Sequence, residues 1–236
     1  MGYEYTYLIF VLLFAALWMI LYFWRRDIRS EMTFMSVLFG FAGPIGETAH
    51  IQDWWQPLTI TGTKIGLEDF LIGFFIGGVA ASIYEEVFKK KLRPRKISEK
   101  RAKFENYHFI LHLALFGALF FGSFYLLGVH SFYSCIIAFV FGISTIWIHR
   151  KDLILDSLFS GALMLVIGSI LYFVLEIFTP GFIRELWYLP DYWFSTLFLG
   201  IPIAEYIGYF LAGAYIGPLY EFWKERRIAV FRGKRK

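Results

Sequence analysis

The sequence predicts an all-α polytopic membrane protein: seven transmembrane helices built as two parallel three-helix repeats joined by an extra helix. Three observations carry this. The 236-residue chain is 58% hydrophobic and 22% aromatic, with a mean hydropathy of +0.57, well above the apolar share of a water-soluble domain. Apolar runs of about 20 residues, the length needed to cross the hydrocarbon as a helix, recur seven times. Two stretches also match without a gap at an offset of about 136. Ile65-Gly-Leu-Glu-Asp-Phe leads through an apolar run to Tyr84-Glu85, and Ile201-Pro-Ile-Ala-Glu-Tyr leads through another to Tyr220-Glu221.

Taken in order, the spans are expected at Tyr5–Trp24, Met32–Ile51, Leu67–Phe88, His108–Gly128, Phe132–Ile148, Leu153–Phe178 and Tyr192–Trp223. Span one has no basic residue before it and no small-residue cleavage site after it, which predicts a retained helix rather than a removed signal peptide. Arg25, Arg26 and Arg29 follow span one, and a basic linker from Lys89 to Lys103 follows span three. Arg150 and Lys151 follow span five, and a basic tail from Lys224 to Lys236 follows span seven. Only Lys64 and Arg184, of 23 Lys and Arg, fall on the other side. Such a bias marks the cytoplasmic face. It places the N-terminus outside and the C-terminus in the cytoplasm of a prokaryotic cell membrane. The net charge of +4 therefore belongs to topology and to contact with anionic lipid headgroups, not to nucleic acid.

Arg25-Arg26-Asp27-Ile28 after span one resembles Arg150-Lys151-Asp152-Leu153 after span five at an offset of about 125. Spans one to three thus correspond to spans five to seven, with an insertion in the outer loop Thr179–Tyr192. The division is residues 1–91 for the first repeat, 92–128 for the basic linker and fourth helix, and 129–236 for the second repeat with its tail. Because span four intervenes, the repeats run in parallel about an axis along the membrane normal. Gly73, Gly77 and Gly78 in span three, and Gly208, Gly213 and Gly217 in span seven, offer small surfaces for close helix contact. Trp54, Trp55, Trp187, Tyr188, Tyr192 and Trp193 gather in the two long outer loops, as an interfacial belt would.

Five carboxylates lie in or at the ends of spans on the outer side: Glu47, Glu68, Asp69, Glu176 and Glu205. Ionisable groups inside a membrane are costly and mark function by default. Glu68 and Asp69 also suit a helix N-terminus, where the dipole favours negative charge. Glu47 and Glu176 sit near C-terminal ends, where it does not. Glu47, Asp69, Glu176 and Glu205 are expected to line one cavity walled by aromatics, with Glu205 as leading proton donor and Asp69 as its counterpart. A shielded carboxylic acid among Tyr, Phe and Trp can protonate an alkene, and aromatic faces can stabilise the cation. That is isoprenoid chemistry. Tyr84-Glu85-Glu86 and Tyr220-Glu221 are expected to be structural, snorkelling or pairing with Lys89 and Lys224.

Other chemistries find no support in the sequence. His50, His112, His130 and His149 have no close metal-binding spacing, and His112 is expected as a hydrogen-bonded residue within the bundle. The lone Cys135 has no disulfide partner. There is no G-x-G-x-x-G and no paired Asp-rich motif for magnesium diphosphate. The expectation is no cofactor and no metal, with a lipophilic isoprenoid or carotenoid substrate and membrane lipids as the partners.

These residues resemble the membrane-integral, flavin-free lycopene cyclase domain of archaea, some actinobacteria and fungi. Each half of that family carries a motif close to G-x-x-I-G-x-x-P-I-E-E-F, preceded by an aromatic-rich loop and an acid late in the previous span. Here Trp54-Trp55, Gly62, Ile65-Gly66, Glu68-Asp69 and Phe70 follow that order, with Glu47 in the preceding span. The second half matches as Trp193, Gly200, Pro202, Ala204, Glu205 and Tyr206. The first half lacks the proline and has Asp69 for the second Glu; the second half has Ala204 for the first Glu. The resemblance implies a rhodopsin-like architecture and an isomerase that protonates a linear carotenoid end, closes a ring through a carbocation and removes a proton. It implies Glu205, Asp69, Glu68, Glu47 and Glu176 as catalytic candidates, and Trp54, Trp55, Phe70, Trp193 and Tyr206 against the substrate. Two alternatives stay open: an isoprenoid hydratase, and a non-catalytic lipid-binding or sensory protein. Retinal bound as a Schiff base in span seven is excluded, because no lysine lies between Tyr192 and Trp223.

Overall fold

A computed structural model describes residues 3–93, 99–224 and 227–230. The expectations for the basic linker at 94–98 and for the basic tail at 225–226 and 231–236 lie outside the described residues. The described chain is all-helical apart from two small two-stranded ribbons. Helix α1 (Thr6–Trp24) runs from the end of the bundle carrying Tyr5, called here the acid face, to the end carrying Arg25, the basic face. Helix α2 (Arg29–Asp53) returns, α3 (Leu67–Ala80) descends again, and the short α4 (Ile83–Val87) leads into strand β1 (Lys90–Arg93). Helix α5 (Glu99–Phe121) continues as a π-helical turn over Gly122–Leu126. Helices α6 (Ser131–His149) and α7 (Ile154–Phe178) follow, then the short α8 (Phe182–Leu186). A hairpin of β2 (Leu197–Phe198) and β3 (Ile201–Pro202) precedes α9 (Ile203–Ile216) and α10 (Leu219–Lys224), and β4 (Arg227–Val230) pairs antiparallel with β1.

Five of the helical segments are long and apolar enough to cross a membrane: Thr6–Trp24, Leu67–Val87, Lys103–Leu126, Ser131–His149 and Lys151–Phe178. The expected second span is α2, which has the length but interrupts its apolar run with Glu31 and Glu47. The expected seventh span is shorter than the sequence suggested. Residues before Ile203 form a 3-10 turn and the hairpin, because Leu199 and Gly200 turn the chain with positive φ. The 14 residues of α9 reach about 21 Å at 1.5 Å per residue, less than a hydrocarbon core.

The repeat is exact for the three long helices of each half. Helices α6 and α7 begin and end 125 residues after α1 and α2, and α9 begins and ends 136 residues after α3. Packing repeats as well: α2 lies along α3 as α7 lies along α9, and α1 packs on α3 as α6 packs on α9. Lipid tails are as apolar as leucine, so burial alone does not drive these helices together; close backbone approach does. A Cβ on Gly43 would stand 2.2 Å from the Asp69 carbonyl oxygen, and one on Gly73 would stand 2.3 Å from that of Phe39. Only glycine allows α2 and α3 to meet at those points.

Arg25 and Arg150, equivalent by the repeat, each tie a helix end at the basic face. Arg25 donates to the carbonyls of Glu85 and Lys90 at 2.8 Å each, and Arg150 to that of Glu221 at 3.1 Å. The acids beside them differ from expectation. Glu86 pairs with Arg25 and Lys89, but Glu85 and Glu221 are buried with Glu31 and Asp156 and do not snorkel. The helices break at Ser82 and Pro218 just before these residues, so Glu85 and Glu221 lie in the first turns of new short helices rather than extending the long ones toward the surface. His112 is likewise buried, packed against the rings of Phe141, Tyr215 and Phe222, and neither ring nitrogen has a hydrogen-bond partner among the described residues.

Candidate active site

The loops of the two halves meet at the acid face. Trp55 and Trp187 form an antiparallel bridge, extended by Gln56 N–H donating to the Leu186 carbonyl at 2.7 Å and Tyr188 N–H to that of Trp54 at 2.9 Å. The two indoles pack with ring centroids 4.8 Å apart. Together they roof a cavity of about 490 Å³, within the usual range for a small-molecule site. Its wall is overwhelmingly apolar. Glu47, Asp69 and Glu205 line it, with Trp54 and Trp55 from the roof.

Each acid is held differently. Asp69 stands in the first turn of α3 and has both oxygens occupied. Gly66 N–H donates to Oδ2 at 2.6 Å, which caps the helix, and the Tyr7 hydroxyl donates to Oδ1 at 2.7 Å. Glu205 stands in the first turn of α9. Trp54 Nε1 and Trp187 Nε1 both donate to its Oε1 at 2.7 Å, and the Tyr172 hydroxyl donates to Oε2 at 2.7 Å. Glu47 stands near the end of α2, 6% exposed. Its Oε2 lies 3.8 Å from His50 Nδ1, and its buried Oε1 has no hydrogen-bond partner among the described residues. His50 Nε2 in turn lies 3.3 Å from Cys135 Sγ, and both residues line the cavity.

The remaining candidates lie elsewhere. Glu176 does not join the constellation: it is exposed and accepts from Gly181 N–H at 2.8 Å, closing the end of α7. Glu68 is buried but turns away from the cavity, its Oε1 accepting from Ile60 N–H at 2.7 Å to fold the loop before α3. Phe70 packs its ring against Phe41 and Phe74 outside the cavity. Trp193 is 55% exposed and donates to the Tyr133 hydroxyl. Tyr206 donates to the Phe198 carbonyl and covers the hairpin. Phe70 and Tyr206 sit one position off the helix faces that carry Asp69 and Glu205 inward, and Trp193 lies in the 3-10 turn before the hairpin.

Tyr7, Tyr172, Trp187, Tyr209, His50 and Cys135 line the cavity in addition. The repeat contained the signal for one of them. At the offset of 125 that relates α7 to α2, the partner of Glu47 is Tyr172, not Glu176. The two halves therefore present unlike groups at equivalent positions, a carboxyl from one and a phenol from the other. Among the described residues no cluster of three or more His, Cys, Asp or Glu is placed to hold a metal ion.

The sequence profile of the lycopene cyclase family matches residues 3–87 and 130–223, most of the chain and both repeats. The chain belongs to the lycopene cyclase family. No curated protein and no solved structure matches it. The two matched segments end near β1 and resume just before α6, so the family's pattern holds the three acids of the cavity and passes over the linker and α5.

Proposed function

We propose that this lycopene cyclase family member cyclises a linear carotenoid end by acid catalysis, with Glu47 as the proton donor and Glu205 as the group that takes the proton away. The observation that carries the reading is the unequal hydrogen bonding of the three acids. Glu205 accepts three bonds and Asp69 two, and acceptors so fully occupied suit a carboxylate. Glu47 alone keeps a buried oxygen free to direct an O–H into the apolar space. This departs from the sequence, which favoured Glu205 as donor. Three donors converging on Glu205 engage both its oxygens and suit it to accept a proton rather than to aim one at an alkene.

In the reaction, the Glu47 proton adds to the terminal double bond and leaves a tertiary cation. A second double bond of the same chain attacks that carbon, closing the ring and moving the charge onto it. Glu205 removes a ring proton, whose C–H electron pair becomes the new double bond. Proton gained and proton lost balance, so the product is an isomer. The faces of Trp54, Trp55 and Trp187 supply negative quadrupoles to the passing cation, and the carboxylates of Glu205 and Asp69 supply charge in a site without bulk water.

The surrounding architecture is read in the same way. Helix α2, long but more polar than the five, and the shorter α9 complete seven spans in a rhodopsin-like order, with residues 1–91 and 129–236 as the repeats and 92–128 between them. The basic face is cytoplasmic and the N-terminus outside, by the charge asymmetry.

Expression in a lycopene-accumulating host, followed by pigment analysis, tests the activity. The intact protein should give cyclic carotene. Glu47→Gln keeps the shape but has no acidic proton, and should lower conversion by about 10² to 10⁴-fold, the usual share of general acid catalysis. Glu176→Gln, at an exposed helix end, should convert as the wild type does. A hydroxylated rather than cyclic product would mean that water captures the cation; no product beside a working cyclase would refute catalysis of this kind.

A further inference from the structure

The cavity has no wall on one side. Helices α2 and α5 do not pack along each other; α5 is held instead by α6 and α10. They touch near their two ends. Toward the acid face the Tyr125 hydroxyl donates to the Thr48 carbonyl at 3.1 Å and Gln52 Nε2 donates to Tyr125 at 3.3 Å. Toward the basic face Phe34 meets Phe109 with ring centroids 6.5 Å apart. Between these contacts Ala42, Ile45 and Gly46 of α2 and Gly117 and Phe121 of α5 line the cavity. Ala42 and Ile45 are exposed on the outside of the bundle at the same time, so the cavity reaches the surface there. A Cβ on Gly117 would meet nothing within 4 Å, and one on Gly46 only a His50 ring carbon at 3.8 Å. Both glycines are thus free of the close helix contact that explains Gly43 and Gly73.

We propose that the gap between α2 and α5 is a lateral portal through which a long linear hydrocarbon chain enters from the lipid, with Tyr125 as its latch. The outer faces of α2 and α5 carry exposed Val37, Phe41, Leu111 and Leu115, an apolar surface that suits approach by a lipid-dissolved chain and not by a water-soluble one. The cavity of about 490 Å³ takes an end group with room to spare but not a whole extended C40 chain, so part of a carotenoid must lie outside it. A side opening lets that remainder stay in the hydrocarbon while the end reaches Glu47, whereas the roof of paired tryptophans closes the route from water. Tyr125 lies on a π turn, a geometry that recurs at functional sites and here swings the hydroxyl toward α2. Its bonds to Thr48 and Gln52 are exposed and can break without unfolding either helix. The portal rests on the cyclase reading only for the kind of chain that enters; the opening itself is a matter of geometry.

The test uses the full chain in lipid nanodiscs with lycopene as the probe, following quenching of tryptophan fluorescence after mixing. Gly117→Phe fills open space and should preserve folding, yet slow quenching about tenfold or more, within the one to three decades that single changes produce in association rates. Ala118→Phe, on the next, exposed position of α5, should bind as the wild type does. Tyr125→Phe removes the latch and should speed entry. Equal rates for Gly117→Phe and wild type would overturn the portal, as would absence of quenching in the wild type; an unchanged rate in Tyr125→Phe would overturn the latch. Slowed binding in Gly117→Phe with no cyclic product from any variant would support the portal while refuting the proposed reaction.

Discussion

Glu205 is fixed from three directions, and two of its three donors are indoles from opposite halves of the chain. Trp54 precedes α3 and Trp187 precedes α9, yet both reach the same oxygen at 2.7 Å. A hydrogen bond to a charged group contributes about 1.5–3 kcal/mol, so Trp54→Phe and Trp187→Phe should each reduce turnover by about tenfold to a hundredfold with little change in substrate binding. Because they share one acceptor, the double variant should lose less than the sum of the two, a coupling that a double-mutant cycle measures. Strict additivity would mean that the indoles act on the substrate and not through Glu205. Tyr172→Phe removes the bond to Oε2 and leaves the ring against Phe182 and Trp187, and should affect rate more than stability.

Helix α3 places Asp69 because α2 lets its backbone come close. Gly43→Leu would drive a side chain into the Asp69 carbonyl, and Gly73→Leu would meet that of Phe39. Overpacking of this kind costs about 1–3 kcal/mol, so each variant should lower the thermal midpoint in detergent. Gly122→Ala, where a Cβ meets nothing, should not. The elements themselves were largely legible in sequence: apolar runs gave the helices, and the two offsets gave their pairing to the residue. What failed to show was local. The apolar run from Tyr192 hides a hairpin, because periodicity does not distinguish a short buried strand from a helix. Glu176 looked like the counterpart of Glu47 because both are acids near a helix end, although the repeat itself places Tyr172 there. Which oxygen of which acid is free depends on loops that only meet in three dimensions, and no spacing within one loop records it.

At the scale of the whole molecule, duplication built a pocket whose two sides then diverged. The halves keep their scaffold in register, with Arg25 answering Arg150 and Gly77 answering Gly213, while Glu47 and Tyr7 in one half correspond to Tyr172 and Phe132 in the other. As proposed, Glu47 as donor and Glu205 as acceptor would supply the acid and the base that a cyclisation with no net proton change requires. Orientation can be checked at two exposed lysines in a Cys135→Ser background. Lys64→Cys should react with a membrane-impermeant maleimide on intact cells, and Lys151→Cys only after permeabilisation. The reverse pattern would invert the topology. The most direct test of the central claim is the isotope content of carotenoid recovered from protein exchanged into D2O and then mixed with lycopene. Cyclic carotene carrying solvent deuterium is expected from the wild type, and bound lycopene with neither ring nor label from Glu47→Gln. Deuterated cyclic product from Glu47→Gln would contradict that claim.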